Sequence, residues 1–332
     1  MTDDALKAPF PWFGGKRRVA DDVWQQFGSV DSYCEPFAGS LAVLLGRPEP
    51  FGGVETVNDL DGFIANAWRA IAADPDEVAH FADWPVNETD LHARHIWLVE
   101  HAETLNLRLL GDPDYFDAKV AGWWLWGISA WIGLGGGGWC SGDGPWTAEG
   151  IVGERQLVHS SGSGVGVRRN RPHLSGGGQG VHRQRVQLGD GLGEWMQALS
   201  ERLRFVRVCS GDGKRVVTPA ALMSTSKRKG IFLDPPYDQE SRAICYNEDS
   251  PDIFGEVRAW CLDAPAEYRI ALCGYDDDAE LVDAGWEQTS WVASGGMGNQ
   301  GKTRADEENR HRERIWYSPS CLGAKQAEMF AT

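Results

Sequence analysis

No stretch of this sequence approaches the ~18 consecutive apolar residues that crossing a bilayer requires. None of its seven cysteines (34, 140, 209, 245, 261, 273 and 321) belongs to a C-x-x-C pair. The first absence excludes a spanning helix. The second, with an odd cysteine count, argues against a zinc ribbon or disulfide framework and for free buried thiols in a reducing compartment. No metal site is expected. No basic-then-apolar segment of secretory type opens the chain, so a cytoplasmic location and no membrane partner are expected. Two phosphate-binding patterns are also missing. There is no G-x-G-x-x-G after the first predicted strand and no G-x-x-x-x-G-K-[ST], which argues against a nicotinamide oxidoreductase and a triphosphate site.

Basic charge is scarce as well. Lys and Arg total 32 against 48 Asp and Glu, a net −16. Taken whole, that balance speaks against a nucleic-acid partner. Its distribution says otherwise. Residues 166–230 hold thirteen basic and four acidic residues, so one basic island, ending in Lys227-Arg228-Lys229, sits in an acidic chain.

What is present is ordinary globular composition, 42% apolar and 24% charged over 332 residues, enough for one large domain or two modest ones. Strands are predicted at 31–37, 53–58, 204–209, 229–233, 268–273, 286–292 and 314–317. Helices are predicted at 40–46 (with Ser40 as cap), 62–73, 190–203 and 253–263, and 86–132 reads as mainly helical. The alternation of the two predicts a parallel sheet covered on both faces. Residues 133–180 break the pattern with sixteen glycines, which suits loops or hairpins inserted into a domain.

The strongest local signal is Asp234-Pro235-Pro236-Tyr237, directly after the apolar strand 229–233. Open α/β sheets bind ligands at this end of their strands. An exocyclic aromatic amine is a poor nucleophile, because its lone pair is delocalised into the ring. A carboxylate beside a main-chain carbonyl can accept both amine hydrogens and aim that lone pair at an electrophile. The prolines fix the backbone, and Tyr237 offers a flat face for a base. Three weaker signals precede it. Glu35-Pro36-Phe37-Ala38-Gly39-Ser40 joins the first strand to its helix. Asp59 follows the second strand, twenty residues after Gly39, where an acidic group can hold a ribose diol. Near the start, Pro11-Trp12-Phe13-Gly14-Gly15-Lys16 has the makeup of a loop around a small polar ligand.

PWFGGK, EPFAGS, NDLD, SGD and DPPYD, in that order, closely resemble the alpha-class, Dam-like DNA N6-adenine methyltransferases of bacteria and phages. The resemblance spans roughly 9–317, with the Gly-rich middle excepted. It implies a Rossmann-like doubly wound α/β methyltransferase sheet with an inserted target-recognition domain, S-adenosyl-L-methionine as cofactor and adenine N6 in double-stranded DNA as acceptor. By the same resemblance Trp12, Gly15 and Lys16 form a cofactor loop, and Glu35, Phe37 and Gly39 surround the methionine moiety. Asp59 would take the ribose, Asp212 would lie near the cofactor adenine, Asp234, Pro235, Pro236 and Tyr237 would be catalytic, and Asp234 would also contact the cofactor. Residues 1–124 and 201–332 would form the catalytic domain and 125–200 the insert. The family's usual second glycine is replaced here by Leu41, which reshapes the turn.

Arg168, Arg169, Asn170, Arg171, Arg183 and Arg185 carry side chains suited to phosphates and base edges, on Gly-rich backbone that can enter a groove. The target adenine must leave the stack to be reached, and Tyr246 and Asn247 could line its pocket. The tryptophans at 123, 124, 126, 131, 139 and 146 read mainly as core, and Arg202, Arg204 and Arg207 as parts of a helix–strand pair. Cytosine N4, RNA adenine and a non-catalytic DNA-binding decoy stand as alternatives. The Asp of DPPY favours adenine over cytosine, which goes more often with SPPY.

Overall fold

Strand residues that alternate in direction must be apolar on both sides when both faces of a sheet are covered. The computed structural model describes residues 6–10, 12, 16–48, 52–85, 87–112, 114–130, 139–140, 191–222, 228–236, 253–291 and 312–323. Its strands are β1 (Ser32–Glu35), β2 (Val54–Asp59), β3 (Val206–Ser210), β4 (Lys229–Leu233), β5 (Arg269–Tyr275), β6 (Glu287–Ser290) and β7 (Glu313–Tyr317). They form one sheet in the order β3-β2-β1-β4-β5-β7-β6. The first five run parallel, and β7 is antiparallel to both of its neighbours.

Alternation divides the strand side chains between two cores. Tyr33, Phe232, Ala271, Cys273, Ile315 and Tyr317 point into one. Their neighbours Cys34, Ile231, Leu233, Ile270, Leu272 and Trp316 point into the other. The larger core is closed by helices α1 (Ala20–Phe27), α2 (Ala42–Leu45), α3 (Gly62–Ala73), α4 (Pro75–Ala82), α5 (Glu88–Gly111), α6 (Ala118–Ala130) and α7 (Gly191–Leu203). The smaller core packs α8 (Ile253–Asp263) and α9 (Ala279–Asp283). This is the Rossmann-like α/β sheet that the sequence implies.

Helix boundaries follow side-chain capping. Asp61 caps α3 by accepting from the Phe63 N–H at 2.8 Å. Asp74 ends α3, its N–H bonded to the Ala70 carbonyl, and also caps α4 by accepting from the Glu77 N–H. Pro75 stands at the first position of α4, where its missing N–H costs nothing. Trp124, Trp126 and Trp139 are buried and Trp123 is partly buried, whereas Trp131 and Trp146 lie outside the described residues. The residues 125–130 that end α6 and those that open α7 pack in the helical layer. Most of the expected insert, 131–138 and 141–190, lies outside the described residues.

One expectation changes. The helix after β1 begins at Ala42, not at residue 40, and Ser40 does not cap it. Leu41 precedes it instead, in left-handed conformation (φ 53°, ψ 31°) and fully buried. The glycine-like turn is kept there by a residue whose burial offsets the cost of that backbone. Part of the described stretch of the basic island is paired within the fold, while 166–190 and 223–227 lie outside the described residues. Lys229 is buried over the Tyr268 ring, and Arg228 pairs with Asp31 at 3.2 Å. Both lie at the amino end of β4, the end of the strand away from Asp234. Lys214 pairs with Glu256, and Arg202 with Glu55.

Candidate active site

The direction of chain progression across the sheet reverses between β1 and β4, which opens a crevice at the strands' carboxyl ends. Four adjacent strands deliver carboxylates there. Glu35 ends β1, Asp59 ends β2, Asp212 lies two residues beyond β3, and Asp234 follows β4. A cavity of about 240 Å³ is lined by all four, together with Trp12, Lys16, Pro36, Phe37, Gly39, Phe232 and Pro236. Chain segments more than two hundred residues apart, from Trp12 to Pro236, thus meet in one site. Pro235 is described but does not line the cavity. Gly15, Tyr237, Arg168, Arg169, Asn170, Arg171, Arg183, Arg185, Tyr246 and Asn247 lie outside the described residues.

Glu35 is buried, with 1% of its surface exposed. One carboxylate oxygen accepts from the Tyr33 hydroxyl at 2.7 Å and the Leu44 N–H at 3.1 Å. The other, Oε2, has no hydrogen-bond partner. Burial pushes this carboxyl up to about 8, against the pull of the two donors. Asp59 accepts from the Gly39 N–H at 2.8 Å and the Asp61 N–H at 3.0 Å. Desolvation, then the nearby Asp61 charge, push it up to about 7. Neither group is directly paired with a cation among the described residues, and both residues line the cavity.

Gly39 has φ 45°, and a Cβ there would lie 2.4 Å from the Trp12 indole nitrogen. Glycine is therefore what lets Trp12 close on the turn. The Gly39 carbonyl accepts from the Trp68 indole at 2.9 Å, which locks the turn from beneath. With α2 only a single turn long, the polar handles of this side are carboxylates more than a helix terminus.

Asp234 is paired with Lys16 at 2.9 Å, and the Lys16 side chain is 6% exposed. Lys16 also sits 4.8 Å from the Trp291 ring centre. The buried Cys273 thiol on β5 donates to Asp234, which helps hold that thiol well above its ordinary pKa, though burial is the larger cause.

One structural residue went unrecognised in the sequence. Asn58, 1% exposed, donates to the Pro36 carbonyl at 3.1 Å and the Gly211 carbonyl at 2.8 Å. Its amide ties the turn after β1 to the turn after β3. Its place beside Asp59 in NDLD was the available signal, but the bonding partners are far away in sequence.

A Rossmann-like methyltransferase sheet with a carboxylate-lined crevice at its switch point defines the class. Residues 12–108, under a third of the chain, match the family model described as D12 class N6 adenine-specific DNA methyltransferase, which supports an adenine N6 methyltransferase family. It is an adenine-specific DNA methyltransferase. The match covers Trp12 through Asp59 and stops short of Asp212 and Asp234. A comparison with curated proteins returns no match. Among the described residues no helix is long and apolar enough to cross a membrane, and no cluster of His, Cys, Asp and Glu is arranged to hold a metal ion.

Proposed function

We propose that this enzyme transfers a methyl group from S-adenosyl-L-methionine to the N6 amine of an adenine flipped out of double-stranded DNA, at a specific site. The observation that carries the reading is the single cavity shared by Asp234 and the two desolvated carboxyl groups of Glu35 and Asp59. The cofactor fits these residues. Glu35 Oε2, buried and without a partner, suits an ammonium group. Asp59 suits a ribose diol, and Trp12 and Phe37 supply apolar walls. When bound, S-adenosyl-L-methionine supplies a methyl group made electrophilic by its sulfonium.

The chain's own residues then have defined tasks. Asp234 accepts an amine hydrogen and orients the nitrogen lone pair. The Pro235 carbonyl and the Tyr237 ring are proposed to complete that grip. Lys16 balances the Asp234 charge, so the partly buried carboxylate carries no uncompensated negative charge. Tyr246 and the basic residues from Arg168 to Arg185 are proposed to meet the DNA, within an insert at 125–200, in a cytoplasmic enzyme.

The test is transfer of labelled methyl to double-stranded DNA, to RNA and to DNA whose adenines are replaced. Label on adenine in double-stranded DNA is expected, together with affinity that falls steeply as salt rises. Label only on RNA or on cytosine would overturn the substrate assignment. Salt-independent binding would remove the basic face from the proposal.

A further inference from the structure

We infer that Arg202, on α7 and remote in sequence from every motif of the site, is a positioning residue that holds Glu35 toward the cationic amino group of the methyl donor. This rests on the reading of the cavity as the donor site. Arg202 makes a two-pronged pair with Glu55, at 2.8 and 2.9 Å. It donates a third bond, at 2.9 Å, to the Leu44 carbonyl. Leu44 is the residue whose N–H holds Glu35 Oε1. Glu55 lies on β2 directly opposite Tyr33, whose hydroxyl is the other donor to the same oxygen. Arg202 therefore braces both groups that hold Glu35, a residue that lines the cavity and whose second oxygen has no partner.

Charge supports the same assignment. Glu35 is faced by Tyr33 on its own strand, by Glu55 from β2 and by Arg202 from α7. Arg47, past α2, meets Glu55 at 2.8 Å and lies over the Trp24 ring. With Glu35 ionised, two carboxylates and two guanidinium groups balance. Without Arg202 the cluster carries a buried excess of negative charge, and Glu35 holds its proton to higher pH. Docking of α7 on the sheet would need only the Glu55 pair. The bond to Leu44 is the one that reaches the site.

The experiment titrates the full chain and its Arg202→Gln and Arg202→Lys variants with two ligands between pH 6 and 9. The first ligand is S-adenosyl-L-homocysteine. The second is 5′-methylthioadenosine, which has the same purine, ribose and thioether but no amino acid group. In Arg202→Gln, affinity for the first should fall by about tenfold, the scale of a charge-assisted hydrogen bond, and for the second by less than about twofold. The acid limb of homocysteine-ligand binding should also move to higher pH. Arg202→Lys keeps the charge without the fork and should show a smaller selective loss. It carries the comparison if melting shows that the Gln variant does not fold. Equal loss on both ligands, or no loss, would overturn the inference. A wild-type protein that binds neither ligand would overturn the reading of the cavity, and the inference with it.

Discussion

The two sides of the crevice solve the burial of negative charge differently. On the β1–β2 side, Glu35 and Asp59 are held by neutral donors, a tyrosine hydroxyl and backbone N–H groups, and burial drives their protonation equilibria up to about 8 and about 7. On the β4 side, Asp234 has its counter-charge built in, with Lys16 at 2.9 Å. Buried carboxylates without a directly paired cation are costly. Their persistence on one side marks a place where a ligand brings a direct cationic partner or hydroxyl donors, since Arg202 reaches Glu35 only through Glu55 and Leu44. The self-balanced side is suited to a neutral amine, which needs a fixed acceptor and no net charge.

The largest effect should come from breaking the β4 side. Asp234→Ala should lower methyl transfer at least about a hundredfold, as loss of a positioned electrostatic group does, while donor affinity stays within about threefold. Single-turnover transfer and equilibrium binding separate the two. A proportional loss of binding would place Asp234 among the donor's contacts and erase the contrast between the sides.

Glu35→Gln should invert that pattern, with donor affinity falling by about tenfold or more. It also has a sign in stability. The folded-state value of Glu35 lies above the ordinary 4.5, at about 8. Its burial is least costly below about pH 4.5, where folded and unfolded chains are both protonated. Stability then declines as pH rises toward 8. The glutamine can accept the same two bonds and carries no proton to lose. It should melt near wild type at pH 4.5 and above it at pH 8.5. Equal melting points across that range would mean that Glu35 is ionised at little cost, and the distinction between the two sides would fail.

Gly39→Ala should have an intermediate effect. The added Cβ strains a φ of 45° and displaces the Trp12 indole. Donor binding should weaken by about fivefold to tenfold, the scale of about 1 kcal/mol or slightly more of strain and lost contact. Quenching of tryptophan fluorescence by the donor should diminish with it. Unchanged quenching would show that Trp12 adapts without leaving the wall.

Much of this was legible in the sequence, for physical reasons that differ by element. β4 was readable to the residue because Gly230-Ile231-Phe232-Leu233 is apolar on both faces, as a central parallel strand must be. The α3 boundaries were readable from the apolar spacing of 62–73 and from Pro75, which disfavours helix in the residue before it. The same Pro75 concealed the start of α4, since a proline both stops one helix and opens the next. DPPY and EPFAGS could be found because each is contiguous. Asn58 and Arg202 could not be found that way. They act through bonds to Gly211 and Leu44, separated from them by 153 and 158 residues, and no local pattern encodes such pairings. Pairing within the basic stretch follows the same rule, since Arg228 meets Asp31 and Arg202 meets Glu55, each far away in sequence.

The smallest expected effect tests the turn that builds the donor side. Leu41 holds φ 53° with no surface exposed, so two opposed terms meet at one residue. Removing its side chain should cost about 2–4 kcal/mol of core burial. Relieving its backbone should return about 1 kcal/mol, but only to glycine. Leu41→Gly should therefore be more stable than Leu41→Ala by about 1 kcal/mol in denaturant unfolding, although both fall below wild type. Leu125, equally buried but within α6, supplies the control. There the order should reverse, because glycine in a helix interior is about 1 kcal/mol worse than alanine. If Ala and Gly rank alike at both positions, the left-handed turn is not what Leu41 contributes. The replacement of the expected glycine would then reflect packing alone.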